Sequence, residues 1–162
     1  MTEVETSLLL NKFKQTAAEL NQASNEINSI ISSYEAQLAE ANAGVEHWLE
    51  SESDALCPST PDESSNEPGV LVETHKAHQL GFAKLNVFWK LVIRQVNAER
   101  RHYAGIDEYI ARPIEGSMSE LSKASREIRI AALGKFPNLI EEMHREAVSA
   151  LETITRAKRL VR

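Results

Sequence analysis

The chain has 162 residues, 42% of them hydrophobic and 26% charged, which is ordinary for a globular protein and sufficient for one domain. The N-terminus is acidic where a signal peptide would be basic, and no apolar stretch is long enough to cross a bilayer. With Cys57 as its sole cysteine, the chain excludes an internal disulfide and is expected to be cytoplasmic, without membrane contact.

A repeat of apolar residues at alternating steps of three and four predicts one long helix over residues 6–43, followed by Gly44. The stripe contains Leu10, Phe13, Ala17, Leu20, Ser24, Ile27, Ile31, Tyr34, Leu38, Ala41 and Val45. Its period of 3.5 residues favours near-parallel packing against another helix. The helix would be about 55–60 Å long, which exceeds a compact domain of this size. The residues expected to contact a partner are Leu10, Phe13, Leu20, Ile27, Ile31, Tyr34 and Leu38.

Residues 45–69 show no long regular pattern of apolar residues. Residues 45–50 alternate in polarity and could form a short strand. Residues 51–69 are acidic and rich in serine and proline, with no lysine or arginine, which predicts an exposed, mobile loop.

Residues 80–94 predict a β-hairpin around Asn86 and Val87. With those two residues as the loop, the facing pairs are Leu80 with Ile93, Phe82 with Leu91, and Lys84 with Trp89. Val87 is unfavourable in a type I′ turn, so a longer or bulged loop stays open.

The C-terminal part predicts two helices. No regular pattern is visible over residues 97–116. Ser117 and Glu120 fit a capping box for a helix over 117–134, and a second helix over 137–161 begins at Pro137. Its apolar stripe repeats the three-and-four spacing of the first helix: Ile140, Met143, Ala147, Ala150, Ile154, Ala157 and Val161.

These elements predict one domain over residues 1–162 with an α+β fold that is predominantly α. It would contain the long helix, a small antiparallel hairpin or three-stranded sheet, and the two C-terminal helices. The stripes of the first and last helices are expected to pack together, within the chain or between chains.

Three segments of the C-terminal half resemble a group of small uncharacterised bacterial proteins. These segments are Gly81–Arg94 with its Trp89, the Ala-Ser-Arg-Glu sequence at 124–127, and the Phe-Pro-Asn-Leu-Ile sequence at 136–140. The group has a tryptophan-containing hairpin followed by two helices. The resemblance implies a scaffold and carries no chemistry with it.

The sequence contains few candidate metal-binding or catalytic motifs. His75 and His78 are three residues apart, so on a helix they would share a face and could bind a metal ion. The nearest further candidate ligands are His47, Cys57 and Glu73. Two surface histidines are the simpler interpretation, and no cofactor or metal is expected. An enzyme assembled from distant residues without a motif stays an alternative.

The charges are divided between the halves of the chain. Residues 1–73 hold 14 acidic against 2 basic residues, and residues 74–162 hold 10 against 16. The halves could attract each other, or each could present its own solvated face. Arg100 with Arg101, and Arg126 with Arg129, suggest nucleic-acid binding as an alternative, although the acidic net charge disfavours it.

The leading hypothesis is a non-enzymatic interaction or structural protein that works by helical packing, with itself as its partner. It depends on the predicted length of the first helix.

Overall fold

The computed structural model describes residues 2–64 and 67–161. A long helix precedes an antiparallel sheet, and two further helices complete the chain. The elements are α1 (Glu3–Ala41), β1 (His47–Trp48), β2 (Asp62–Ser64), β3 (Val70–Leu85), β4 (Phe88–Tyr103), β5 (Ile106–Pro113), β6 (Ser119–Glu120), α2 (Arg126–Leu133) and α3 (Phe136–Leu160), with 3₁₀ turns at Glu52–Asp54 and Leu121–Lys123.

The sheet is much larger than predicted. Six antiparallel strands have the order β1-β3-β4-β5, with β2 also paired to β3 and β6 to β4. The prediction of a predominantly helical protein with a hairpin or three strands was therefore wrong. The predicted hairpin is only the end of β3 and β4, which are 16 residues long each.

The predicted register is present within that longer ladder. Leu80 faces Ile93, Phe82 faces Leu91 and Lys84 faces Trp89. Of the two turn residues only Asn86 takes a positive φ, at 58°, so the turn avoids the conformation that type I′ would require of Val87. A polar side chain tolerates that conformation better than a β-branched one, so the tight turn forms although no glycine is present.

The outer halves of β3 and β4 were missed because they carry only short apolar patterns, Val70–Val72 in β3 and Val96 with Ala98 in β4, among many charged and polar residues. Glu73 faces Arg100 across the ladder, and Arg100 in turn faces Tyr109 of β5. Their side chains pair with other partners, Glu73 with His102 and Arg100 with Glu52. Such contacts between charged residues stabilise this part of the ladder, which no long apolar alternation marks in the sequence.

The core lies on the face of the sheet that carries Leu80, Phe82, Leu91 and Ile93. Residues from α1, the loops, α2 and α3 close it: Ile31, Leu49, Leu56, Leu121, Ala132, Phe136 and Leu139. The Phe82 and Trp89 rings stack at a centroid distance of 5.5 Å. Burial of these side chains against the sheet is the main source of stability.

The first helix begins and ends earlier than the stripe indicated. Thr2 and Glu5 form a capping box, and the hydrogen bonds with Thr2 lower the pKa of the Glu5 carboxyl. The helix ends at Ala41 because Asn42 takes the left-handed conformation, with φ of 49° and ψ of 40°. Gly44 is thus outside the cap.

The predicted loop 51–69 contains more structure than its composition suggested. Leu56 is 1% exposed and bridges to His78, and β2 pairs with β3. Burial raises the pKa of Asp54, but hydrogen bonds from Ser51 and Asn138 and the charge of Lys135 outweigh it, so the net pKa is lowered. Residues 65 and 66 lie outside the described residues.

The helix predicted over 117–134 is shorter and has a different cap. The Ser117 hydroxyl accepts a hydrogen bond from the Gln95 amide instead of capping a helix. β6 and a 3₁₀ turn follow, and α2 begins only after Ser125, whose side chain accepts from the Ile128 amide. The third helix is as long as predicted, with Pro137 in its first turn.

Candidate protein-interaction site

The predicted partner-contact residues fall into two groups along α1. Ile31 is buried, and Ile27 and Leu38 pack against the same core. By contrast, Leu10 is 50% exposed and Phe13 is 69% exposed. Leu20 is also exposed, and Tyr34 lies at the border, where its ring packs edge-on against Phe136 with 5.4 Å between centroids. The stripe is thus covered in its second half and open in its first.

Residues 3–23 of α1 form a projecting segment, termed the N-terminal arm. Each of its residues except Ala17 is exposed. At 1.5 Å per residue the arm is about 30 Å long. Besides the stripe residues Leu10, Phe13 and Leu20, the exposed apolar side chains include Val4, Leu8 and Leu9.

The far end of α3 forms a second projecting segment. Residues 148–160, termed the C-terminal arm, are all exposed and extend about 20 Å. Leu151 is 64% exposed, and Ile154 and Val148 are exposed with it. The predicted packing of the first helix stripe on the last is therefore confined, within one chain, to the region near the core, where Tyr34 packs on Phe136.

An apolar groove of about 560 Å³ lies where the two helices approach each other. Its apolar walls are formed by Ile30, Tyr34, Leu133, Phe136, Pro137 and Ile140, with Glu141 and His144 also lining it. Because it is open and apolar, it continues the exposed apolar surface of α1 down to the core.

Polar contacts hold the packed parts of α1 and α3, beyond the arms, to the body. The Glu35 carboxylate of α1 accepts hydrogen bonds from Lys90 Nζ at 3.1 Å and the Leu91 amide at 2.9 Å. The hydrogen bond with Glu35 raises the pKa of Lys90. On α3, Glu142 and Glu146 contact the two ring nitrogens of His47 at 2.8 and 2.9 Å. These contacts fix the direction in which each arm leaves the body.

The single polar residue of the stripe, Ser24, marks where the N-terminal arm leaves the body. Ser24 is buried, and its hydroxyl accepts hydrogen bonds from Arg126 at 3.3 Å and from Arg129 at 3.2 Å. Arg129 also donates to Asn28 Oδ1. A serine within an apolar stripe was the sequence signal for this contact, but its partners are more than 100 residues away.

The arginines of the nucleic-acid alternative are engaged within the protein. Arg126 and Arg129 are directed at α1, as described. Arg100 forms an ion pair with Glu52, and Arg101 forms one with Glu99. The hydrogen bond with Glu99 raises the pKa of Arg101 and lowers that of Glu99. These pairs leave the arginines partly neutralised, so they give the alternative no further support.

The two histidines of the metal alternative lie on a strand, where the helical spacing does not apply. Residues three apart on a strand point to opposite faces, so His75 and His78 do not share one. Burial lowers the pKa of His78. Among residues 2–64 and 67–161 no three His, Cys, Asp or Glu side chains are grouped for a metal ion.

One further histidine lies between two carboxylates. His102 contacts Asp107 through Nδ1 and Glu73 through Nε2, and hydrogen bonds with Asp107 and then Glu73 raise its pKa. The side chains are at the open end of the sheet, and the charges compensate one another.

Comparisons with other proteins leave the arms as the main clue to function. No protein-family model matches the chain, and no curated protein and no solved structure shows a significant similarity to it. Within the described residues, no helix combines the length and apolar character needed to cross a membrane. What the chain does must therefore follow from its own geometry.

Proposed function

We propose that this chain is a non-enzymatic interaction or structural protein, acting in the cytoplasm, that self-associates through the N-terminal arm. The observation that carries this proposal is the open first half of the α1 stripe. Leu10, Phe13 and Leu20 continue the same seam that Ile27 and Ile31 bury against the core.

Two physical arguments favour a partner for this arm. Full burial of a leucine or phenylalanine side chain contributes about 1.5–3 kcal/mol, so three stripe residues exposed together represent a large unused driving force. A helix of about 20 residues that packs on nothing is also only marginally stable in water. Contact with another helix would supply both the burial and the stabilisation.

Substitution of Phe13 by glutamate tests the proposal. We expect Phe13→Glu to shift the protein toward the monomer, because a carboxylate would be buried in the seam. Light scattering after size exclusion, over a range of protein concentrations, measures the change in mass.

Asn11→Glu is the matched control. Asn11 is two residues earlier and so about 200° away on the helix, on the exposed face opposite Phe13. It adds the same charge to the same arm and should leave the mass unchanged. A wild-type protein that remains a compact monomer at every concentration would contradict self-association.

A further inference from the structure

We infer that the partner of the N-terminal arm is the C-terminal arm of a second copy of this chain, packed antiparallel to it. This inference rests on the proposed self-association and specifies its geometry. In a symmetric dimer this pairing of arms would occur twice, because each copy contributes one N-terminal arm and one C-terminal arm.

The two arms are complementary in side-chain size. The N-terminal arm presents large residues at Leu10, Phe13 and Leu20 of its stripe. The three-and-four stripe of the C-terminal arm has small residues at Ala150 and Ala157 on either side of Ile154, while Val148 and Leu151 lie beside it. Closely packed helices place large residues opposite small ones so that the layers interdigitate, and this pair of arms allows it.

The arms are also complementary in charge when they run in opposite directions. Read from the free end of each helix, residues 3–14 of the N-terminal arm are first acidic and then basic, with Glu19 following nearer the body, and the C-terminal arm is first basic and then acidic. The residues are Glu3 and Glu5 followed by Lys12 and Lys14 on α1, and Arg159, Lys158 and Arg156 followed by Glu152 on α3. Antiparallel pairing therefore brings opposite charges together along both arms.

Parallel pairing of identical arms lacks this complementarity. Two N-terminal arms side by side would place Lys12 and Lys14 next to their own copies, and two C-terminal arms would do the same with Arg156 and Arg159. Like charges beside a helical seam disfavour the pairing.

The available surface suits a specific dimer. The two arms of one copy, with about half of their residues facing the partner, would supply on the order of 20 interface residues a side, as standard interfaces do. The open groove beside Tyr34 and Ile140 extends this surface down to the core.

Charge reversal in separate copies tests the pairing. One variant is Lys12→Glu/Lys14→Glu and the other is Glu152→Lys, all at exposed positions away from the capping box. Each variant alone should self-associate about tenfold more weakly than the wild type, because attraction at both copies of the contact becomes repulsion. An equimolar mixture should recover wild-type affinity as a heterodimer, since each contact then joins opposite charges. Sedimentation equilibrium and native mass spectrometry measure affinity and composition.

A third variant carries all three substitutions in one chain and controls for local loss of helix. It should dimerise as the wild type does. If only Lys12→Glu/Lys14→Glu weakened the dimer, or if only Glu152→Lys did, identical arms would be paired and the inference would be overturned while self-association stood. The inference would also be overturned if all variants dimerised with equal affinity, or if the equimolar mixture bound no more tightly than each variant alone. A monomeric wild type would instead remove the proposed function itself.

Discussion

A single glycine determines how the edge strand β1 packs on the sheet. The Trp48 ring lies over Gly81, and a Cβ built there would be 2.8 Å from the His47 carbonyl oxygen and closer still to the ring. On its other side the ring meets the Arg94 guanidinium, 4.1 Å from the ring centroid. Arg94 is held by Gln79 Oε1 at 2.8 Å and by Glu50 at 2.9 Å.

We expect Gly81→Ala to lower the free energy of unfolding by about 1–3 kcal/mol, because the added methyl group must displace Trp48 or the strand backbone. Urea unfolding monitored by tryptophan fluorescence measures it. Gly134→Ala is the control, since its Cβ would lie 3.5 Å from the nearest atom at an ordinary φ of −66°. It should be neutral or stabilising by about 0.4–1 kcal/mol. Equal losses in both variants would disprove the close-contact explanation.

At the scale of elements, a helix side chain completes the edge of a strand. Residues 88–91 of β4 pair with β3 on one side. On the other side no described strand pairs with them, because β6 begins to pair only at Val92. On this open side the Glu35 carboxylate of α1 accepts hydrogen bonds from the Leu91 backbone amide and from Lys90 Nζ. The contact protects an open strand edge and at the same time anchors the packed second half of α1 to the sheet.

We expect Glu35→Ala to destabilise the protein by about 1–3 kcal/mol and to increase hydrogen exchange at the Leu91 amide, because that donor loses its acceptor. Amide exchange followed by NMR reports the site directly. Glu40→Ala, on the exposed end of the same helix, should stay within about 0.5 kcal/mol of the wild type. An unchanged Leu91 exchange rate in Glu35→Ala would show that the carboxylate does not protect this edge.

At the scale of the whole molecule, the opposed charges of the two halves meet within the fold. Acidic residues of the first half contact basic residues of the second in ion pairs that join α1 and the following loops to β4 and the loop before α3. These pairs are Glu35–Lys90, Glu50–Arg94, Glu52–Arg100 and Asp54–Lys135. The charge asymmetry therefore contributes to attraction within one chain.

The free arms make the helix content dependent on protein concentration. An unpacked helix of this length is partly unfolded in water, so dilution of the dimer should reduce the helical circular dichroism signal at 222 nm. Phe13→Glu should show the lower signal at all concentrations. Identical signals for wild type and variant across the dilution series would mean that the arms fold without a partner.

The sequence by itself determined α1, α3 and the turn between β3 and β4, because these depend on local periodicity. The three-and-four spacing marks α1 and α3, and the alternation around Asn86 specifies the register of Leu80 with Ile93. It did not reveal the rest of the sheet, since the outer strands depend on contacts between distant charged residues, such as Glu73 with His102 and Arg100 with Glu52, and carry only short apolar patterns.

Only the tertiary structure decided which part of the α1 stripe is available to a partner. The seven predicted contact residues have the same spacing and chemistry, and nothing local separates Phe13 from Ile31. The difference arises because α2 and the sheet reach α1 only from Ser24 onward. Burial is a property of what surrounds a residue, so periodicity determined the seam while the fold determined where the seam stays open.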